Sequence, residues 1–279
     1  MALLTSVIIP SRGGADRLPR LLGMLAAQDS AVEVVVVLDG DIDGSSQAVD
    51  GWRDRLDLTV IEFGENRGRA AALNAGFEAA RGDVLIRCDD DLAPLSDFAS
   101  RHAAHHSDSP IGVVGLVRNQ FPDTAYARAY GRHWDRLQRD HAYASAPDST
   151  WQHWAANCSV SRETWERIGP YDEAYRGYGW EDIDWGYRLH QAGVPVIITL
   201  LWRPTTTWPP SPPRHGYAGR TTQARRSAGS RPSSTPGPPV DRTAPGHARS
   251  NVLHITSPRR HQPPGLNVST VESVDSRAR

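Results

Sequence analysis

Three consecutive carboxylates, Asp89, Asp90 and Asp91, follow the apolar run "DVLIRC", and a second acidic pair, Glu181 and Asp182, stands inside "WEDIDW". Adjacent like charges repel one another and resist burial, so three aspartates at the end of a buried strand call for a positive counterpart. Asp89 and Asp91, two residues apart, can both turn toward one cation once the chain leaves strand geometry. Hard oxygen ligands of this kind suit Mg2+ or Mn2+. Taken alone, the same run also reads as a solvated acidic turn that caps the next helix. Glu181 and Asp182 open a helix, where the dipole holds a carboxylate ionised. That is ordinary capping, and it is also what a general base near a metal requires.

These groups need elements to position them. "TSVIIP" (5–10) and "VEVVVVLD" (32–39) are short β-branched runs of the kind found in strands covered on both faces. Between them Leu18, Leu21, Leu22 and Leu25 recur at helical spacing after the turn-like "SRGGAD". This is a βαβ opening and implies a parallel sheet with a right-handed crossover. The spacing then predicts a helix across "RGRAAALNAGFEAARG", ended by Gly82 in a left-handed conformation, and a third strand, "DVLIRC". A helix near 96–106, the strand "IGVVGLV", a longer helix near 124–141, and two short helices closed by Gly169 and Gly193 follow. The strand "VPVIITL" ends the pattern, and the domain boundary falls near residue 202. Ligands of open α/β sheets gather beyond the carboxyl ends of the strands. Polar or acidic clusters stand at three such ends: "PSRGG", Asp39 to Asp43, and Asp89 to Asp91.

Composition narrows the class. The chain has 279 residues, 39% of them hydrophobic, enough for a sizeable core. Its net charge of -1 hides an asymmetry, because residues 201–279 hold 12 Arg against 3 acidic residues while the first 200 hold 19 against 29. Thirteen of the 21 Pro also lie in that Arg- and Ser-rich tail, which is expected to be disordered. It lacks interleaved aromatics and any fold signature, so no specific nucleic-acid partner is expected. Two cysteines, Cys88 and Cys158, make neither a disulfide framework nor a thiolate zinc site. No apolar stretch is long enough for a membrane span, so a cytoplasmic location is expected, with peripheral membrane contact left open.

The ordered blocks "SVIIPSRGGADRLPRLLGML", "VVVVLDGDIDGS", "ENRGRAAALNAGFEAARGDVLIRCDDDLAP" and "NCSVSRETWERIGPYDEAYRGYGWEDIDWGYRLHQAG" resemble a family 2 glycosyltransferase of the GT-A fold. The last block is similar to the galactosyltransferase-type C-terminal motif. The resemblance covers roughly 5–199. It implies a Rossmann-like, three-layer α/β sandwich with a mostly parallel central sheet over 1–201, followed by the tail at 202–279. It implies a nucleotide-sugar donor, UDP-linked by family expectation, bound against Pro10, Ser11, Arg12 and Asp39. Asn66, Gly68 and Asn74 match the loop and helix behind the donor pocket. Asp89 and Asp91 would be a DXD motif holding Mn2+ or Mg2+ at the diphosphate, with Asp90 beside them in the donor site. Asp182 would be the base that deprotonates a carbohydrate or other hydroxyl acceptor, and Glu181 would bind the acceptor or share that role. The expected activity is metal-dependent, inverting hexosyl transfer.

Tyr175, Tyr178, Trp180 and Trp185 surround the acidic pair, and flat rings can pack on a sugar; Trp185 is the one expected in the core. Arg67, Arg69 and Arg87 are candidate phosphate ligands. His102, His105 and His106 lack the metalloprotease pattern and are not expected to bind metal. The sequence departs from the family after "VPVIIT", where "LLWRPTTTWPPSPPRHG" replaces a segment that can supply a metal-binding His and a lid, and His215 is not assigned. A GT-A body that binds nucleotide or sugar without turnover is therefore the alternative reading.

Overall fold

The computed structural model describes residues 3–176, 180–199 and 205–207. Its centre is a seven-stranded sheet. Four strands run parallel in the order β3 (Asp57–Phe63), β2 (Val32–Asp39), β1 (Thr5–Ser11) and β4 (Val84–Cys88). Next comes β8 (Asn157–Ser161), antiparallel to β4, then β6 (Gly112–Val114), antiparallel to β8, and β9 (Val196–Ile198), parallel to β6. A small second sheet joins β5 (Leu92–Ala93), β10 (Thr205–Thr207) and β7 (Val117–Arg118). Strand β10 lies past the expected boundary at 202; the remainder of the predicted disordered tail lies outside the described residues.

Alternation along the strands builds two cores, one on each face. Val7, Ile9, Val34 and Val36 meet the leucines of α1 (Leu18–Leu25), Val49 of α2 (Ser45–Asp50) and Phe98 of α4 (Phe98–Ala103). Ile8, Val35 and Val37 point the other way, toward Leu73 and Phe77 of α3 (Arg69–Ala79). Trp185 and Leu189 of α7 (Trp180–Gln191) belong to the same core. This is the three-layer, mostly parallel sandwich that the sequence implies. No helix among the described residues is long and apolar enough to cross a membrane.

Three local expectations change. The run "DLTVIEF" forms β3, so the aspartates follow the fourth strand rather than the third. It is a half-exposed edge strand whose interleaved Asp57, Thr59 and Glu62 hide an apolar signature. Helix α3 stops at Ala79, and Gly82 is not among the positive-φ glycines. A Cβ there would lie 2.5 Å from Ser6 Oγ and 2.9 Å from the Leu4 carbonyl, so close backbone approach, not handedness, demands glycine. The long helix expected over 124–141 is a π-helical turn, Ala127–Gly131, running into α5 (Arg132–Tyr143). The cap of α6 (Arg162–Ile168) is as expected: Ser161 Oγ accepts the Thr164 N–H at 3.2 Å, and Gly169 closes it at φ 84°.

The histidines are structural. His102 is fully buried, with Nε2 2.9 Å from Asn157 Oδ1 and Nδ1 2.7 Å from Ser159 Oγ; His106 Nε2 is 2.8 Å from the same hydroxyl. Burial drives His102 down to about 3 and His106 down to about 4, so both are neutral.

Candidate active site

The carboxyl ends of β1, β2 and β4 form one edge. Pro10 and Ser11 end β1 in a fully buried stretch, and Arg12 follows, its Nη1 donating to the Asp39 carbonyl at 2.7 Å. Asp39, at the tip of β2, is only 5% exposed. Its carboxylate accepts the Arg67 N–H at 2.6 Å and the Gly68 N–H at 3.1 Å, and Asn66 Oδ1 also accepts the Gly68 N–H, at 3.0 Å. Asp39 therefore fixes the loop 66–68 at the start of α3. The backbone turns at Gly68 with φ 95°.

The aspartate run has three different fates. Asp90 takes a fork from Arg17, Nε at 3.1 Å and Nη2 at 2.8 Å, and accepts the Ser11 hydroxyl at 2.5 Å. Asp89 takes a second fork from Arg87, Nε at 2.8 Å and Nη2 at 3.3 Å. Asp91 makes no side-chain hydrogen bond to another described residue, and burial, then Asp89 and Asp90, raise its pKa. Much of the counter-charge that the run demands is thus supplied by the chain's own arginines.

Arg87 also reaches Asp182. The guanidinium is fully buried in β4 and its Nη1 pairs with Asp182 Oδ1, so one cation bridges the aspartate run and the first turn of α7. Burial works against that charge, but Asp89 and Asp182 outweigh it and hold the Arg87 pKa well above its ordinary value. Burial raises the Asp182 pKa and Arg87 pulls it back; the net direction is upward. Asp182 Oδ2 has no hydrogen-bond partner among the described residues. Beside it Glu181, 1% exposed, lies 3.5 Å from Arg69 Nη1.

An aromatic stack holds α7 in place. Trp185 lies between Trp154, centroids 5.0 Å apart, and Tyr171, at 5.3 Å, and its Nε1 donates to the Gly169 carbonyl at 2.9 Å. Trp185 is thus core, as expected. Trp180 is 68% exposed at the helix start and Tyr175 is at the surface, whereas Tyr178 lies outside the described residues.

The donor set can be tested against a divalent cation. Among the described residues no cluster of three or more His, Cys, Asp or Glu forms a cage. Two carboxylates are nonetheless what a Mg2+- or Mn2+-type ion takes from protein when phosphates and water fill its other positions. Asp91, half-buried and crowded by negative neighbours, fits that use. Asp89 fits it in competition with Arg87.

The structure gathers Ser11, Arg12, Asp39, Asn66, Gly68 and Asp89 to Asp91 along one edge, and links Asp182 to it through Arg87. Asn74 is elsewhere. Its amide donates to the Tyr171 carbonyl at 2.9 Å and to Glu173 at 3.2 Å, and its oxygen accepts the Tyr171 N–H at 2.8 Å, so it clamps α3 to the segment before α7. The three arginines considered for phosphate are engaged within the chain: Arg87 as above, Arg69 with Glu181, and Arg67 over the Phe63 ring at 4.4 Å. Arg17 escaped the sequence reading. Its only signal was a positive charge at the start of the first helix, on the edge where the acidic run had to end.

Comparison with known proteins gives the family and the fold. The family model "Glycosyl transferase family 2" matches residues 6–168, and one described as "N-terminal domain of galactosyltransferase" matches 136–201. A validoxylamine A glucosyltransferase of Streptomyces hygroscopicus subsp. jinggangensis is 32% identical over 226 residues, covering 70% of this chain and 53% of the relative. YfnE of Bacillus subtilis, described as an uncharacterized glycosyltransferase, is 28% identical, covering 68% and 61%. The chain spans little more than half the length of these curated relatives. Among solved structures, S. aureus TarS in complex with UDP superposes with a TM-score of 0.58 at 16% identity, covering 73% of this chain and 60% of that one. The Pyrobaculum calidifontis mannosyltransferase in complex with GDP-Man and Mn2+ superposes at 0.57 with 22% identity, covering 77% and 59%. Both share the fold. With the family model spanning more than half of its length, and the strand-end carboxylates standing where that fold gathers its ligands, the chain belongs to glycosyl transferase family 2.

Proposed function

We propose that the chain is a metal-dependent, inverting glycosyltransferase that moves a sugar from a nucleotide diphosphate, UDP by expectation, to an acceptor hydroxyl. The observation that carries this reading is the single buried guanidinium of Arg87, which holds a strand-end carboxylate, Asp89, and a helix-start carboxylate, Asp182, on either side of itself. Asp89 and Asp91 would hold the cation, and Ser11, Arg12 and Asp39 would border the nucleotide. When bound, the cation supplies charge stabilisation for the departing diphosphate. Asp182 accepts the acceptor hydroxyl proton on Oδ2. The acceptor oxygen then bonds to the anomeric carbon as the bond to the diphosphate breaks, and the leaving group takes the electron pair. Attack from the face opposite the leaving group inverts the anomeric centre. Glu181, held by Arg69, lies beside the base on the acceptor side.

One observation favours a second reading. Both oxygens of Asp89 already face Arg87, so this side chain must exchange partners before it can hold a cation. A protein in which that exchange fails would bind nucleotide without turnover. Calorimetric titration of UDP, GDP and dTDP, with and without Mn2+, tests the proposal against an Asp89→Ala, Asp91→Ala double variant. One nucleotide should bind in a metal-dependent way and lose that dependence in the variant. A folded protein that binds none of the three would sink the donor assignment, and nucleotide binding that is the same with and without Mn2+ would favour the second reading.

A further inference from the structure

A cavity of about 680 Å³ that includes none of the aspartate run lies between the segment 118–121 and the helix α5. Four guanidiniums line it, those of Arg118, Arg132, Arg136 and Arg139, against a single carboxylate, Asp135. That carboxylate is largely spent. It pairs with Arg139 and accepts the Asn119 N–H at 3.2 Å and the Asn119 side-chain amide at 2.8 Å, which clamps the strand-end loop to the helix. Arg132 shares Asp123, at 3.5 Å, with Arg128. Arg118 and Arg136 have no ion-pair partner among the described residues. The walls are therefore pre-fixed, while the charge is left strongly positive.

Topology brings this cavity near the reaction edge. Arg118 is in register with Thr206 of β10, and Thr206 is in register with Ala93 of β5, two residues past Asp91. With strands about 4.8 Å apart, the Arg118 backbone stands roughly 10 Å from that of Ala93. A volume of this size takes a small molecule or a headgroup. Guanidiniums fork onto phosphate oxygens better than onto any neutral group, and a dianion matches the uncompensated pair.

We propose that this cavity is the acceptor subsite and that it receives a phosphate group carried by the acceptor. The inference rests on the glycosyltransferase reading above and names its acceptor class. The phosphate can come from a soluble phosphomonoester or from a lipid headgroup; the second source is included because Tyr126, Tyr130 and Trp134 expose their rings on the helical segment that lines the cavity.

The test uses the full chain at low ionic strength. Glycerol phosphate is titrated calorimetrically, with glycerol as the neutral control. Sedimentation is measured with phosphatidylcholine vesicles that contain or lack phosphatidic acid. Both are repeated with an Arg118→Gln, Arg136→Gln double variant, whose nucleotide binding serves as the control for folding and for the donor site. The expected result is phosphate-dependent binding, to the soluble ligand or to the vesicles, that weakens about 10-fold or more in the variant while nucleotide affinity is unchanged. Binding to the vesicles alone assigns the lipid source. No phosphate-dependent binding, or equal binding by the variant, overturns the subsite and leaves the donor reading standing. Arg-dependent phosphate binding by a protein that binds no nucleotide overturns the acceptor assignment through the failure of the donor reading instead.

Discussion

Arg87 has no solvent to turn to, so its charge is committed to the two carboxylates that flank it. Removing one partner of such a buried pair costs roughly 3–5 kcal/mol, which makes the bridge a strong constraint on where Asp182 sits. Arg87→Lys keeps the charge but cannot fork onto Asp89 and reach Asp182 together. The expected outcome is kcat lowered by about 100-fold through a displaced base. Mn2+ affinity should be unchanged or higher, because lysine keeps the charge but no longer forks onto both oxygens of Asp89; initial rates and a metal titration measure the two separately. Asp182→Asn should remove about 10²- to 10⁴-fold of kcat with nucleotide affinity retained. Asp182 must be ionised to take a proton, and its pKa is raised by burial, so activity should fall on acidification at a pH above the ordinary aspartate range. A pH profile of kcat reads that limb directly. Part of this site was legible in the sequence. Asp89 follows β4 directly and stands two residues from Arg87, so their pairing is local, but the Asp182 partner is 95 residues distant and no local pattern announces it.

At the scale of elements, periodicity recovered the buried parallel strands and the leucine face of α1 because their surroundings are uniformly apolar. It failed for β3, whose outer edge mixes charge with apolar residues, and for β8, whose Asn157 and Ser159 are buried only because His102 and His106 satisfy them. That polar seam has a thermodynamic signature. The unfolded histidines titrate near 6.5, whereas in the fold His102 and His106 hold out to about 3 and about 4. The unfolded chain therefore binds more protons between those limits. The stabilisation is complete above about pH 6.5 and is lost progressively as the pH falls toward 4. Urea midpoints measured from pH 7.5 to 4.5 should decline, and His106→Gln should flatten part of that slope. A pH-independent midpoint would mean that the histidines are not buried neutral.

In the whole molecule, the strand that reverses direction has a further consequence. Val114 pairs with Cys158, and the Gly115 N–H reaches the Asn157 carbonyl at 3.0 Å, so the long excursion between β6 and β8 leaves and re-enters the sheet on a single rung. A loop whose two ends already touch places little demand on its own interior, and lengthening it costs only slowly in closure entropy. The turn Thr150–His153 and Trp154 belong to the packing around α7, whereas residues 116–149, with all four arginines of the cavity, leave the central sheet at that rung and are tied back through β7, which pairs with β10 and through it with β5. Grafting the corresponding stretch of a relative into this chain should change which acceptor is glycosylated and leave nucleotide affinity within a few-fold, as competition assays with paired acceptors would show. On the acceptor-subsite proposal, new acceptors would arise by exchange within residues 116–149, while the strand ends proposed for the donor stay as they are.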